Sequence, residues 1–177
     1  MIQHAKMSKN FSILKGDIRN FELHNLYDAV ISLFHVLSYQ NANSDIKSVF
    51  NCVSKHLKPD GLFIFDFWYT PAVYFQKPVV RMKQNFNDQI GVIRIAEPLM
   101  KENENIVEVK FKIFVQDFVN GKLDHFEELH PMRHFSLPEI DNFAEQAGMI
   151  RIGEEEFLTS KKISVETWGP CVILKKI

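Results

Sequence analysis

The chain has 177 residues, of which 46% are hydrophobic and 24% are charged, a composition ordinary for globular proteins. This length supports one hydrophobic core, so we expect a single domain over residues 1–177. The formal net charge of -1, with scattered lysines and arginines, excludes a general electrostatic attraction to nucleic acid or to an anionic membrane.

The sequence also argues against secretion and membrane insertion. The longest apolar stretch, residues 29–37, is far shorter than the roughly 20 residues that a membrane span needs, and the N-terminus lacks a signal-peptide pattern. Cys52 and Cys171 are too far apart in sequence to suggest a zinc site or a disulfide framework. We therefore expect a cytoplasmic protein with two reduced cysteines.

The first predicted strand covers residues 27–34, and a second one covers residues 61–68. Both are short apolar runs rich in Val, Ile and Phe, which indicates strands buried on both faces of a sheet. Between them, Asn43 or Ser44 is a typical N-cap for a helix with apolar residues at helical spacing, and a Pro-Asp-Gly sequence would end it. These elements predict a βαβ unit with parallel neighbouring strands.

Side chains that follow these strands are the first candidates for a functional site, because ligands of open parallel sheets bind beyond the carboxyl ends of the strands. His35 and Tyr39 follow the first strand, and Asp66, Trp68 and Tyr69 end or follow the second. Asp66 lies in an apolar run, so it is either hydrogen-bonded at the strand end or part of a site. Trp68 and Tyr69 are adjacent on an extended segment and should point to opposite faces.

The next segment, residues 78–134, has the period-two pattern of strands with one solvated face. Apolar and charged residues alternate from 107 to 115, and similar strands are predicted over residues 79–86, 92–100 and 122–134. Asn120 and Gly121 favour a two-residue hairpin turn, because both central positions of a type I′ turn need positive φ. We predict an antiparallel β meander inserted in an α/β domain.

The C-terminal part returns to the α/β pattern. Ser136 and Glu139 form a capping box before an amphipathic helix, and Gly148 fits its left-handed stop. Residues 149–157 and 170–177 are predicted to form the two closing strands, the last of them antiparallel.

Three histidines in the second half raise the question of a metal site. They are His125, His130 and His134. Pro131 interrupts their spacing and no carboxylate pattern accompanies them, so we predict no metal ion.

Five segments, in this order, resemble the class I S-adenosylmethionine-dependent methyltransferases, most closely the small-molecule branch that includes sugar N-methyltransferases. They are Lys-Gly-Asp-Ile-Arg at 15–19, the strand and loop at 28–39, Leu-Lys-Pro-Asp-Gly at 57–61, Phe-Trp-Tyr-Thr-Pro at 67–71, and His-Pro-Met-Arg-His-Phe-Ser at 130–136. The resemblance implies a Rossmann-like α/β sheet with an inserted meander, and S-adenosyl-L-methionine as cofactor. It also implies methyl transfer to N or O of a small-molecule substrate, with a sugar or nucleotide sugar as one option.

The resemblance assigns cofactor contacts to four residues. Asp17 would accept a hydrogen bond from the adenine amino group, and the backbone N–H of Ile18 would donate one. Leu33 and Phe34 belong to the strand and loop under the methyl donor. From the residues alone, Asp17 could instead cap the turn that follows it.

Catalytic and substrate contacts follow from the same resemblance. Tyr39 occupies the position where sugar N-methyltransferases of this type carry a His or a Tyr near the acceptor amine. His35 is the second candidate to accept the amine proton, or else a hydrogen-bonded core histidine. Trp68 or Tyr69 would line the substrate pocket. Arg133 would pair with an acid or bind an anionic substrate such as a nucleotide sugar.

One feature departs from the family pattern: its Gly-rich turn needs clustered glycines, whereas the seven glycines here are dispersed. The acidic residue expected to hold the ribose is also missing. We therefore expect a chain that begins inside the domain, an incomplete sheet and cofactor site, and weak or absent cofactor affinity. The sheet would have bare edges beside strands at 11–14 and 27–34, which favour a homo-oligomer. The alternative function is a cofactor-free methyltransferase remnant that acts as a binding or dimerisation module.

Overall fold

The computed structural model describes residues 11–177 and contains two sheets. The first sheet is formed by β1 (Tyr27–Ser32), β2 (Leu57–Asp66), β8 (Met149–Glu156) and β9 (Pro170–Lys176), in the order β1, β2, β9, β8. β1 and β2 are parallel neighbours, and helix α1 (Asn43–His56) connects them, so the predicted βαβ unit is confirmed. β9 is antiparallel to both β2 and β8, also as predicted.

The second sheet is the predicted meander. Its strands are β3 (Trp68–Tyr69), β4 (Arg81–Phe86), β5 (Ile90–Lys101), β6 (Ile106–Asp117) and β7 (Leu123–Phe135). β4 to β7 pair as consecutive antiparallel neighbours, and β3 is parallel to β7. Helix α2 (Thr70–Gln76), which the sequence pattern did not predict, follows β3, and α3 (Leu137–Gln146) follows β7. None of the helices in residues 11–177 is long and apolar enough to cross a membrane.

The main core lies between the first sheet and the two helices α1 and α3. Phe50 of α1 packs edge-on against Phe63 and Phe65 of β2, with ring centres 5.8 Å apart in each case. Phe143 of α3 closes the cluster at 6.1 Å from Phe50. Burial of each such ring stabilises the fold by about 1.5–3 kcal/mol. This packing fixes β2 and therefore the position of Asp66 at its end.

The meander has two chemically different faces, because successive side chains of a strand point to opposite sides. The inner face carries Val107, Val109 and Met132, which pack against Val73 of α2. The outer face carries three ion pairs, Lys101–Glu108, Lys110–Glu127 and Lys112–Glu97. The inner face is thus the one that can line a site.

Two predictions about the edge of the first sheet are wrong. The residues of β1 are exposed or half-buried rather than buried on both faces, since the described residues provide it with only one neighbouring strand, β2. Residues 11–14 do not form a strand, because Phe11 makes only an isolated bridge and the following residues have no regular structure.

The helix caps also differ from prediction, because Arg133 takes the expected capping groups. The N-cap of α1 is Ala42, while the side-chain oxygen of Asn43 accepts a hydrogen bond from Arg133 at 2.7 Å. Ser136 is the N-cap of α3 but makes no side-chain cap hydrogen bond. The prediction of a capping box is therefore wrong, because the Glu139 carboxylate pairs with Arg133.

The β6–β7 connection is longer than the predicted two-residue turn and covers residues 118–122. Gly121 has a φ of 68°, but Asn120 does not share its positive φ. The Asp117 carboxylate closes the turn by accepting the N–H groups of Val119 and Asn120. The predicted left-handed stop of α3 is confirmed, with a φ of 70° at Gly148.

Candidate functional site

A histidine and an aspartate meet at the carboxyl ends of β1 and β2. Phe34 and His35 follow β1 with left-handed φ values of 64° and 60°, a conformation that non-glycine residues adopt at a cost and that is common at functional sites. The His35 N–H donates to Asp66 Oδ1 at 3.1 Å, and its ring Nδ1 lies 2.8 Å from Asp66 Oδ2. This ring contact is not an aligned hydrogen bond, so His35 Nδ1 and Asp66 Oδ2 are both left without a hydrogen-bond partner among the described residues. Asp66 is therefore hydrogen-bonded at the strand end through Oδ1, while its unpartnered Oδ2 makes it part of the candidate site.

Neighbouring residues restrict the position of the His35 ring. The indole of Trp68 lies edge-on to it, with ring centres 6.5 Å apart. A Cβ atom on Gly169, just before β9, would lie 3.0 Å from His35 Cε1, so a larger residue there would displace the ring. The His35 side chain is 35% exposed, which leaves one edge of it open to a ligand.

Tyr39 belongs to a second constellation, on the inner face of β7. A 3₁₀ turn over Val36–Tyr39 places the Tyr39 hydroxyl 2.8 Å from His130 Nδ1. The opposite ring nitrogen, His130 Nε2, lies 3.1 Å from Glu128 Oε2. In the tautomer that satisfies both contacts, Nε2–H donates to Glu128 and Nδ1 accepts from the Tyr39 hydroxyl. The three side chains form a polar relay that ends at Tyr39.

An open pocket of about 430 Å³ lies between α2 and the inner face of the meander, a volume typical of small-molecule sites. Trp68, Trp168 and Phe111 are among its walls. The Phe111 ring also contacts His130, with centres 5.0 Å apart, just as Trp68 contacts His35. Neither His35 nor Tyr39 lines the pocket itself: Trp68 lies between it and His35, and Phe111 lies between it and His130, the partner of Tyr39. Tyr69 packs against the main core instead, on the opposite side from Trp68, as predicted for adjacent residues of an extended segment.

Asp17 and Ile18 lie in a turn beside the start of α1. Arg19 donates to the Asp17 carboxylate from its side chain and its backbone N–H, and these hydrogen bonds lower the pKa of Asp17 to about 2. Arg19 also reaches Asp45 in the first turn of α1, while Ile18 packs against the main core. In this structure Asp17 caps the turn, the alternative that its sequence allowed, and Arg19 occupies both of its carboxylate oxygens.

Leu33 and Phe34 lie at the end of β1. Leu33 is half-buried, whereas Phe34 is 77% exposed. One edge of the Phe34 ring meets Phe157 with centres 6.4 Å apart. The remainder of the ring is an apolar surface at the place where open α/β sheets bind their ligands.

Two polar residues of β7, Arg133 and His134, are buried in the protein and do not line the pocket. The Arg133 guanidinium is buried and donates to Glu139, to Asn43 and to a backbone carbonyl. This placement favours the pairing with an acid over the binding of an anionic substrate. His134 is fully buried with Nδ1 2.9 Å from Thr70 Oγ1, and burial lowers its pKa to about 4.

Metal and thiol chemistry find little support among the described residues. Within residues 11–177, no three His, Cys, Asp or Glu side chains are grouped so that they could hold a metal ion. Cys52 and Cys171 are free thiols, and burial raises the pKa of each, which disfavours the reactive thiolate.

Comparison with known proteins places the chain beside sugar methyltransferases. It is 26% identical over 154 residues to a dTDP-3-amino-3,4,6-trideoxy-alpha-D-glucopyranose N,N-dimethyltransferase of Streptomyces venezuelae, which covers 84% of this chain and 62% of that protein. It is 20% identical over 134 residues to a dTDP-4-amino-2,3,4,6-tetradeoxy-D-glucose N,N-dimethyltransferase of Saccharopolyspora spinosa, with 76% and 52% covered. No protein-family model matches.

Comparison of the fold with solved structures also finds a methyltransferase. A crystal structure of an S-adenosylmethionine-dependent methyltransferase from Clostridium acetobutylicum superposes with a TM-score of 0.77 at 22% identity, over 91% of this chain and 63% of that one. The chain thus spans less than two thirds of the length of these relatives. The resemblance to class I S-adenosylmethionine-dependent methyltransferases and the Rossmann-like α/β fold with its inserted meander are both confirmed.

Proposed function

We propose that this chain carries out S-adenosylmethionine-dependent methyl transfer to the amine of a nucleotide-linked amino sugar. The names of the two curated relatives support this substrate class, and the name of the clostridial structure supports the methyl donor. The observation that carries the proposal is local: two walls of one pocket, Trp68 and Phe111, contact His35 and His130 respectively, and His130 is the partner of the Tyr39 hydroxyl.

Residues at the end of β1 fit the methyl donor. The exposed Phe34 ring and the adjacent Leu33 offer apolar surface, and the Asp17 carboxylate would accept the adenine amino group in place of part of its contact with Arg19. The backbone N–H of Ile18 would complete the adenine contacts. When bound, the donor supplies a methyl group on a sulfonium, which is already a good leaving group.

The main task of the chain is to position the acceptor amine. Substitution at carbon needs the nucleophile in line with the departing bond, so a pocket that orients the amine supplies much of the rate. Trp68 and Phe111 form walls between the pocket and the two polar constellations. A bound sugar would therefore extend past one of these walls for its amine to reach Tyr39 or His35.

The relay on β7 can remove the proton that the amine must lose. Tyr39 Oη accepts that proton as its own hydroxyl proton passes to His130 Nδ1, and the Glu128 carboxylate stabilises the resulting imidazolium. His35 with Asp66 offers a second acceptor on the other side of Trp68. Tyr39 is the first choice because its hydroxyl already has a partner ready to take a proton.

Calorimetric titration with S-adenosylhomocysteine tests the donor part of this proposal. The wild-type chain should give a weak but saturable heat, and Phe34→Asp should weaken binding about tenfold or more by removing apolar contact and adding a charge. Phe75→Asp is the matched control, because Phe75 is equally aromatic and 62% exposed but lies on α2. No heat from the wild type, or equal affinity in both variants, would contradict the proposal and favour the cofactor-free binding module.

A further inference from the structure

Three cations line the pocket on the inner face of the meander. They are Arg81 and Lys83 of β4 and Arg94 of β5. Lys83 and Arg94 are direct partners in the antiparallel ladder, and Arg81 lies two residues from Lys83 on the same face. Like charges directly opposite one another destabilise a sheet. This arrangement therefore costs stability unless an anion balances it.

The remaining cations of the meander are all balanced within the protein. Each lies within 2.9 Å of a carboxylate oxygen: Lys101, Lys110, Lys112, Lys122 and Arg133. By contrast, Arg81, Lys83 and Arg94 form no ion pair with any residue in the part of the chain that the structure describes. The uncompensated positive charge of the sheet is thus concentrated at the pocket.

Flat aromatic walls accompany this charge. Trp68 and Trp168 meet edge to face with ring centres 5.6 Å apart, and the Trp168 indole N–H donates to the side chain of Gln76. The Arg94 guanidinium lies over the Phe111 ring, 4.8 Å from its centre. Planar side chains beside cations favour a ligand that combines a planar ring with negative charge.

The geometry points to this pocket as the binding site for the nucleoside diphosphate part of the substrate, with Arg81, Lys83 and Arg94 holding the diphosphate and the tryptophans packing against the base. The inference rests on the proposed function, since it takes the substrate to be a nucleotide-linked sugar. Guanidinium and ammonium groups form charge-assisted hydrogen bonds with phosphate oxygens, and each bond neutralises charge that the sheet leaves uncompensated.

The position of Phe111 sets the direction of the bound substrate. One side of its ring contacts Arg94 and another contacts His130. A sugar attached to a diphosphate at Arg94 therefore extends along Phe111 toward the His130–Tyr39 end of the relay. The cations thus place the amino sugar where the proton acceptor lies.

Tryptophan fluorescence reports on this site directly, because both tryptophans of the chain line the pocket. Titration with dTDP should change the emission saturably, and the affinity should fall as the salt concentration rises. Thymidine, which lacks the diphosphate, should bind about tenfold or more weakly, and inorganic pyrophosphate, which lacks the base, should also bind more weakly than dTDP.

Charge-neutralising variants test whether dTDP binding depends on the cations of the pocket or only on the overall positive charge of the sheet. Lys83→Gln and Arg94→Gln should each weaken dTDP binding about tenfold. Lys112→Gln removes the same charge from the outer face of the same sheet and should change the affinity by less than about twofold. A wild type without saturable response, thymidine or pyrophosphate binding as tightly as dTDP, or equal losses in all three variants would overturn the inference.

Titration of the same samples with S-adenosylhomocysteine distinguishes this inference from the proposed function. Binding of dTDP without binding of S-adenosylhomocysteine would leave the nucleotide site standing and contradict methyl transfer. Binding of S-adenosylhomocysteine without dTDP would support the methyl donor and overturn the nucleotide site.

Discussion

At the scale of single residues, the contact between Tyr39 and His130 carries the chemistry that we propose. The 2.8 Å contact joins the turn after β1 to the inner face of β7, and Glu128 orients the imidazole from its other side. A tyrosine hydroxyl is a poor base alone, because its pKa is near 10 and its protonated form is a strong acid. The histidine behind it makes proton removal possible without an unstable intermediate.

Substitution of Tyr39 or His130 should separate catalysis from binding. Tyr39→Phe and His130→Gln should each lower the rate of methyl transfer about a hundredfold, within the range of general base catalysis, while S-adenosylhomocysteine affinity stays constant. Rate measurement with a labelled methyl donor, beside calorimetry, checks this. His125→Gln is the control, since His125 is exposed and stacks on Phe114 away from the relay. An unchanged rate in Tyr39→Phe would exclude its hydroxyl as the proton acceptor.

His134 makes the stability of the fold depend on pH. Its pKa is lowered to about 4 by burial, with Arg133 adding to the shift, whereas an unfolded chain has an ordinary histidine pKa near 6.5. The unfolded state therefore binds more protons between these values, and the free energy of unfolding falls as the pH drops from about 6.5 to 4, by up to about 3 kcal/mol.

Urea denaturation at several pH values measures this dependence. His134→Gln, which keeps a group able to hydrogen-bond Thr70, should flatten the curve between pH 4 and pH 6.5 even if it lowers stability overall. His125→Gln should leave the curve of the wild type unchanged. A curve for His134→Gln as steep as that of the wild type would show that other groups cause the dependence.

At the scale of elements, Arg133 connects β7 with the segment before α1 and with the first turn of α3. It replaces the side-chain caps that the sequence led us to expect at both helices. Removal of one partner from a buried ion pair leaves an uncompensated charge. The attachment of the meander to the first sheet therefore depends strongly on this side chain.

Arg133→Met should lower the free energy of unfolding by about 3 kcal/mol, because Glu139 and Asn43 lose their donor in a buried setting. Lys112→Met breaks the half-exposed pair with Glu97 on the outer face and should cost less than about 1 kcal/mol. Chemical denaturation of both variants makes the comparison. Similar small losses would mean that Arg133 is not a structural link.

The sequence predicted elements well where periodicity is local. The βαβ unit, the four long strands of the meander and the stop at Gly148 follow from the spacing of apolar residues and glycine. Element ends were less predictable, because they depend on partners distant in sequence. The Pro-Asp-Gly sequence lies inside β2, where Leu57 pairs with Tyr27, and helix α2 gave no periodic signal over its 7 residues.

The candidate site was predictable in part for the same reason. The rule for parallel strands is enough to bring His35 and Asp66 together from the sequence alone. The sequence suggests no role for His130 except as a metal ligand, because its partner Tyr39 is 91 residues away and meets it only once the meander folds back. The charge at Arg81, Lys83 and Arg94 stands out only in the folded ladder, where the lysines and arginines that lack acidic neighbours can be identified.

At the scale of the whole molecule, the proposed donor end of the site lies on the first sheet and the proposed acceptor end lies on the meander. Phe34, His35 and Asp66 come from the ends of β1 and β2, whereas Glu128, His130 and the pocket cations come from the meander. Trp68 of β3 in the second sheet contacts Trp168, which lies just before β9 of the first sheet. The methyl transfer that we propose therefore requires both sheets in their present arrangement.

Mass spectrometry of a dTDP-linked amino sugar incubated with this chain and S-adenosyl-L-methionine tests the central claim most directly. We expect a product heavier by one methyl group for each transfer, formed together with S-adenosylhomocysteine and formed about a hundredfold more slowly in Tyr39→Phe. The Streptomyces venezuelae relative, assayed in parallel on its own substrate, shows that the donor and the conditions support turnover. An unmodified sugar with the relative active, across amines at the 3- and 4-positions, would contradict the account.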